Sequence, residues 1–410
     1  MTIRLCAIIL LVCCAATAWA IGNAGRSQAP DNATTYWNCF RGPQQGVSPW
    51  PNAPLSWDGP SGKGVLWKAP LKMAGVSSPV VWGNRVFITE GNLSERAVLA
   101  FDANTGKRLW RQVVPDGGKG KPMPSVSDSG MALPTPACDA DGVYALFGTG
   151  DLAAFSHEGM PKWTIFLKRP AMGYGYSSSL CVARSLVCVQ FDDLADGRVL
   201  AVETATGKIK WEQERSRSAA WSSPMIIPGV GGEPLFVVNA PGSLTAFNLA
   251  GQMVWDVDGA TGEVTPSPAW WNGRIYALNV GSPLFCYQVG ENPKELWRYT
   301  GAMANTSSPV VARGLLFQVS GTSQLVCIDA TTGKKLWSNK AAGCYASLVA
   351  SGGCIYALAR SGTMFIIAAE RTYRLIASCP LGEGSDATPA MGDGRLYIRT
   401  HSHLWCLGAR

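Results

Sequence analysis

The chain has 410 residues with a net charge of +7; 15% of them are charged, 47% are hydrophobic and 46 are glycine. Basic residues this scattered exclude a nucleic-acid-binding stripe, and the apolar content excludes a disordered chain. The glycine share favours many hairpins over amphipathic helices, and three histidines leave little for a zinc centre.

Arg4 precedes an apolar run from Leu5 to about Ala18, and Ala18-Trp19-Ala20 satisfies the small-x-small rule for signal-peptidase cleavage. The run is too short for a comfortable membrane span. Lipidation at Cys13 or Cys14 is disfavoured because Val12 or Cys13 precedes it rather than a small residue. The expected plan is a leader over residues 1–20, an extended segment over 21–62 and a repeat domain over 63–410. Cleavage after Ala20 leaves a periplasmic or secreted protein without a transmembrane anchor.

From residue 63 onward one pattern recurs, clearest in Leu325 to Trp337 (Leu-Val-Cys-Ile-Asp-Ala-Thr-Thr-Gly-Lys-Lys-Leu-Trp). A short β-branched run suits a buried strand, Asp329 to Gly333 supplies a turn, and the return strand carries a Trp. Val98 to Trp110 and Val199 to Trp211 are near-copies. Degenerate copies run Leu152 to Trp163, Leu244 to Trp255, Leu284 to Trp297, and Met364 to about Leu375, where Leu replaces Trp. A second hairpin precedes each, opening on Ser/Thr and Pro as in Ser77-Ser78-Pro79, Ser307-Ser308-Pro309 and Ala387-Thr388-Pro389. Two hairpins per repeat of roughly 40 residues make a four-stranded propeller blade.

Eight such openings predict an all-β, eight-bladed propeller of antiparallel blades. The last copy ends after Leu404 to Leu407, one strand short, while Leu66-Trp67-Lys68 is an outer strand without its own hairpin. Pairing the two closes the ring and removes its edges. Trp67, Trp110, Trp163, Trp211, Trp255, Trp297 and Trp337 are expected to seal neighbouring blades.

These repeats resemble the pyrroloquinoline-quinone-like eight-bladed propeller family. Its motif Ala-x-Asp-x-x-Thr-Gly-x-x-x-Trp is matched best by Ala100 to Trp110, and the resemblance covers nearly all of the mature chain. Trp37, Phe40-Arg41-Gly42-Pro43 and Gly46-Val47-Ser48 look like the N-terminal segment of a secreted branch. The family includes BamB-type scaffolds of outer-membrane-protein assembly and quinoprotein dehydrogenases. The dehydrogenases' adjacent cysteine pair occurs here only as Cys13-Cys14, within the leader, so no cofactor is expected; pyrroloquinoline quinone with calcium is the alternative.

Cys286, Cys327 and Cys406 occupy places held by Ala in other copies and read as small buried residues. Cys181 and Cys188 flank one hairpin, with an expected diagonal register unsuited to a disulfide. Cys39, Cys138, Cys344, Cys354 and Cys379 have no pairing that spacing alone dictates. His157 falls in a turn and His401 and His403 in the last blade, an arrangement better suited to surface loops than to metal. Asp192, Asp193 and Asp196 could hold calcium, although Asp in such a loop ordinarily forms the turn.

In a propeller the inter-blade linkers share a face, opposite the Thr-Gly turns. That face is expected to carry Tyr174, Tyr176, Trp221, Arg169, Glu263, Asn305 and Asp386, with Lys121, Arg215 and Arg217 on the same linkers. Pro115 to Leu133 is the longest linker, a solvated loop or a lid. No nucleophile elbow, phosphate loop or zinc-protease motif occurs. The reading is therefore a non-catalytic scaffold or binding protein with a protein or cell-envelope partner. A quinone-dependent dehydrogenase and a carbohydrate-binding propeller are the alternatives.

Overall fold

The computed structural model describes residues 36–92, 94–118, 130–171, 174–215, 217–301, 303–340 and 343–409. The leader with Ala20, Cys13 and Cys14, together with Lys121 and most of the Pro115 to Leu133 linker, lies outside the described residues.

Eight antiparallel sheets form the eight-bladed propeller. Blade 1 consists of Val80–Trp82, Arg85–Gly91, Arg96–Asp102 and Arg108–Val114, from the channel outward. Blade 2 spans Ala137–Asp139 to Pro161–Phe166, blade 3 Cys181–Ala183 to Ile209–Arg215 and blade 4 Met225–Pro228 to Met253–Asp258. Blade 5 spans Ala269–Trp271 to Lys294–Tyr299, blade 6 Val310–Ala312 to Lys335–Lys340 and blade 7 Val349–Ser351 to Leu375–Pro380. Blade 8 takes Ala390–Gly392, Arg395–Arg399 and His403–Gly408 from the end of the chain and its outer strand, Val65–Pro70, from the beginning. Among the described residues the only helical element is a short 3-10 turn, Val230–Gly232.

The local chemistry of the repeat is visible at its turns. Asp329 Oδ1 accepts the amides of Thr331 and Thr332 at 3.0 Å, and Gly333 adopts φ +73°, open to glycine without strain. Arg371 at 2.8 Å holds the Asp329 carboxyl below its ordinary range, against partial desolvation. The outer strand that follows starts at Lys335 and runs three residues past Trp337 to Lys340.

Each blade carries one cross-strand row of four residues, and in blades 1, 2, 5, 6 and 8 it alternates small and large. Blade 1 reads Val80, Phe87, Ala100, Trp110, and blade 8 reads Ala390, Tyr397, Cys406, Trp67. A small third residue makes room for the Trp beside it. Cys286 and Cys327 hold that same small place, opposite Trp297 and Trp337. Blade 7 corrects the expectation for Leu375: the residue in the Trp place is Ala377, opposite Ile366, whereas Leu375 is exposed. The larger residue of the pair is thus Ile366, one strand inward, and the row carries no indole.

The seven predicted tryptophans reach the next blade. Indole N–H groups of Trp67, Trp110, Trp163 and Trp211 donate at 2.9 Å to Ala103, His157, Thr204 and Leu249 carbonyls in the following blade's turn. Trp297 and Trp337 do the same at 3.1 Å to Thr331 and Glu370. Trp255 is buried without such a partner. The core is accordingly a set of clusters between adjacent blades rather than one central mass.

Cys181 and Cys188 are not diagonal: they are directly opposite in register. The two-residue turn Arg184-Ser185, both at positive φ, sets that register by pairing Ala183 with Leu186.

Burial pushes the thiols of Cys286, Cys327 and Cys406 up to about 12. Unfolded thiols ionise near 8.5. The folded state therefore holds more protons above that pH, and stability present below it is lost as pH rises toward 12. We expect the denaturant midpoint to fall across that window, and to fall less in the triple variant Cys286→Ala, Cys327→Ala, Cys406→Ala, whose side chains match the other blades. Equal slopes in the two proteins would contradict this.

Candidate functional site

The hairpin openings converge on the channel. Ser78 N donates to Thr135 Oγ1, Thr135 N to Ser179 Oγ, Ser179 N to Ser223 Oγ and Ser223 N to Ser267 Oγ, at 2.9 to 3.0 Å. Ser267 N, Ser308 N and Ser347 N continue the series to Ser308, Ser347 and Thr388, and Thr388 N closes it on Ser78 Oγ, at 2.9 to 3.1 Å. One hydroxyl per blade thus accepts the amide of the blade before it, in an unbroken circle. The eight hydroxyls line a cavity of about 390 Å³.

The N-terminal segment closes the channel beneath them. Tyr36–Trp37 adds a fifth strand to the inner edge of blade 1, and Asn38 O accepts the Cys138 amide of blade 2 at 2.8 Å. Arg41, 2% exposed, donates to the carbonyls of Pro268 at 2.9 Å and Gln45 at 2.7 Å, to Ser267 O at 3.3 Å and to Pro309 O. Gln45 bonds Ile226 O of blade 4, and Gly46 and Ser48 pair with Ala350 of blade 7. Burial holds the Arg41 guanidinium below its ordinary range, the nearby Cys39 acting the other way. Phe40 faces up into the cavity, so the channel is a blind cup.

Of the residues expected on this face, Tyr174, Trp221, Glu263, Asn305 and Asp386 line the cup. Tyr174 and Trp221 meet edge to face with ring centroids 5.5 Å apart, and the Trp221 indole N–H has no partner. Two residues depart from expectation. Tyr176 is 1% exposed with its ring 4.0 Å from Phe191, and its phenol is pushed up by desolvation and Asp193, because its side chain turns into the blade 2–3 core. Arg169 lies outside the cup, held by Asp116 at 3.1 Å and Gly118 O at 2.9 Å. Arg215 is likewise spent, on Asp192 at 3.2 Å.

The other carboxylates of that loop are also engaged. Asp193 Oδ1 accepts the amides of Ala195 and Asp196, and Asp196 pairs with Lys168 at 3.0 Å and Arg198 at 3.4 Å. His157 stacks on Trp82, His401 lies 3.5 Å from Asp386 and His403 2.8 Å from Glu383. Among the described residues no cluster of His, Cys, Asp and Glu has the spacing of a metal site.

Sequence reading missed the hydroxyl circle, the Phe40 floor, and Tyr345 with Arg360. The guanidinium of Arg360 lies 3.8 Å over the Tyr345 ring and grips Asp386 at 2.7 and 3.2 Å. The signal for the circle was present, since every opening carries Ser or Thr. What those hydroxyls touch lies in another blade, 39 to 57 residues away, or 310 where the circle closes.

A family model described as "Outer membrane protein assembly factor BamB" matches residues 55–190, 159–304, 197–373 and 287–404 in overlapping stretches. The chain belongs to this BamB family. BamB of Yersinia pestis is 25% identical over 288 residues, 66% of this chain and 67% of that protein. Tetrathionate hydrolase of Acidianus ambivalens is 26% identical over 211 residues, 42% of this chain and 38% of that enzyme. BamB from Moraxella catarrhalis superposes with a TM-score of 0.63 at 14% identity, over 84% of this chain and 97% of that one. Quinohemoprotein alcohol dehydrogenase from Comamonas testosteroni gives 0.68 at 14%, over 84% and 77%. At that identity the two structures share the fold with this BamB-family chain, and no activity follows from it.

Pyrroloquinoline quinone carries three carboxylates, whereas the described lining offers Glu263 and Asp386 and no Lys, Arg or His.

Proposed function

We propose that this BamB-family propeller is a non-catalytic, extracytoplasmic binding or scaffold protein that engages a protein of the cell envelope at the mouth of the cup. The observation that carries this reading is the lining itself. Each of the eight ring hydroxyls is engaged by a neighbouring blade's amide, no histidine lines the described cup, and of its two carboxylates Asp386 is already paired with Arg360. Meanwhile the rim presents Tyr174 and Trp221, residue types that anchor protein interfaces. The names of the Yersinia and Moraxella relatives support a role in envelope assembly, and the expected leader supports the compartment.

The test places a photo-crosslinking residue at position 174 on the rim, or at 208 in the Thr-Gly turn of the far face, in producing cells. Adducts from 174 that vanish with Trp221→Ala, together with none from 208, are the expected result. Equal adducts from both faces overturn the reading, as does quinone-dependent reduction of an artificial acceptor. Titrating pyrroloquinoline quinone and calcium is expected to leave tryptophan fluorescence unchanged; a saturable change would favour the dehydrogenase.

A further inference from the structure

Blade 3 departs from the common row in one place. Its row reads Cys181, Cys188, Ala201, Trp211, where blades 1, 2, 5, 6, 7 and 8 place Phe87, Tyr144, Tyr276, Phe317, Tyr356 and Tyr397 second and blade 4, which also lacks the aromatic, places Val237. The missing aromatic bulk is replaced from outside the blade, since Phe236 and Phe247 of blade 4 pack in the same cluster as both cysteines.

Register and turn fix the distance between the two residues. In a hairpin closed by two residues, the flanking pair Ala183 and Leu186 exchanges both backbone hydrogen bonds. Val182 and Val187 then form the non-bonded pair, and Cys181 and Cys188 the next bonded one. Such a pair has Cα atoms about 5.5 Å apart, in the middle of the range disulfides span. Opposed residues also point to the same face of the sheet. In the structure both are free thiols, buried in the same cluster.

We propose that Cys181 and Cys188 form a disulfide across this hairpin when the chain folds in an oxidising compartment. Both thiols lose a proton, and the two electrons of the new S–S bond formation pass to a disulfide donor of the oxidoreductase or glutathione class, which is reduced to two thiols. The bond forms before blade 4 packs on, because both sulfurs are then buried and desolvation pushes the Cys181 thiol well up, leaving little thiolate to react. Once made, it pins the inner hairpin that follows Ser179 of the hydroxyl circle.

The inference shares with the proposed function only the oxidising compartment, and the test removes that dependence. The full chain is exported to such a compartment behind an appended leader of known activity, then denatured and alkylated without reductant. Trypsin cuts after Lys168, Arg184 and Arg198 and so places Cys181 and Cys188 in separate peptides, one cysteine in each. The expected product is the two peptides joined, two hydrogens lighter than their sum, and separated by reductant. Protein made in a reducing cytoplasm should give both peptides alkylated, and adding glutathione disulfide to that folded protein should not join them. Alkylation of both cysteines in the exported protein, or linkage of either to Cys39 or Cys138, overturns the proposal. In either case the rim-crosslinking result stands or falls on its own.

Discussion

Trp67→Ala is expected to lower the unfolding free energy by about 3–5 kcal/mol, the usual cost of removing a buried Trp. The indole is 8% exposed and sits where the two ends of the chain meet. It lies opposite Cys406, 6.0 Å from the Tyr397 ring, and donates to Ala103 O at 2.9 Å in blade 1. One side chain thus joins blade 8's two chain ends to blade 1. Val65–Pro70 runs on covalently into blade 1, as every outer strand does into the next blade; what no covalent link backs up is its pairing with His403–Gly408 inside blade 8, which the Trp67 packing supports. Trp67→Phe should recover most of the packing and lose only the hydrogen bond, about 1 kcal/mol. Gly106→Ala attacks the same seam from the other side, since its φ is +70° and a Cβ would lie 2.5 Å from the Trp67 ring. Urea unfolding followed by tryptophan fluorescence and by proteolysis of the amino terminus checks the series. A Trp67→Ala loss no larger than that of the exposed Leu109→Ala would refute the seam's role.

The second large effect concerns the floor of the cup. Arg41→Met should cost about 3–5 kcal/mol, because the carbonyls of Ser267, Pro268, Pro309 and Gln45 lose their donor and each buried orphan costs about 1–3 kcal/mol, partly relieved by water. No carboxylate neutralises this guanidinium among its hydrogen-bond partners, so it holds the segment by directed bonds to peptide oxygens rather than by an ion pair. Arg41→Lys should rescue little, since an ammonium lacks the planar fork that reaches four acceptors. Local release is the distinguishing readout. Chymotrypsin should cut at Trp37 and Phe40 in the variant under conditions where the wild type, with Trp37 fully buried, resists. Unchanged cleavage and an unchanged midpoint would show that the segment is held by other contacts.

The repeat was legible because its signals are local. Asp, Thr and Gly at fixed offsets make a turn whatever surrounds them, and a small residue opposite Trp is needed within a single blade. Reading failed where one residue's place depends on the volume of its neighbours. Ile366 and Ala377 exchange bulk across a strand pair, so a search for Trp or its substitute stopped at Leu375. Tyr174 and Tyr176 carry the same side chain two residues apart, yet one stays at the rim and the other turns into the core against Phe191. Nothing in the spacing distinguishes them. The register of Cys181 against Cys188 hinged on a two-residue turn, where an error of one position moves every side chain to the other face.

By itself the amino-acid sequence determined the blade and the number of blades, because each follows from turn chemistry and burial within about 40 residues, and it determined the strand exchange at Trp67 because a spare outer strand at one end matches the one missing at the other. Only the tertiary structure decided that Ser78 and its seven counterparts join in a circle, and that Arg41 lies beneath them. Those contacts cross from blade to blade and from Arg41 to carbonyls 226 to 268 residues away. They arise from closure of the ring, which brings eight separate openings to one axis.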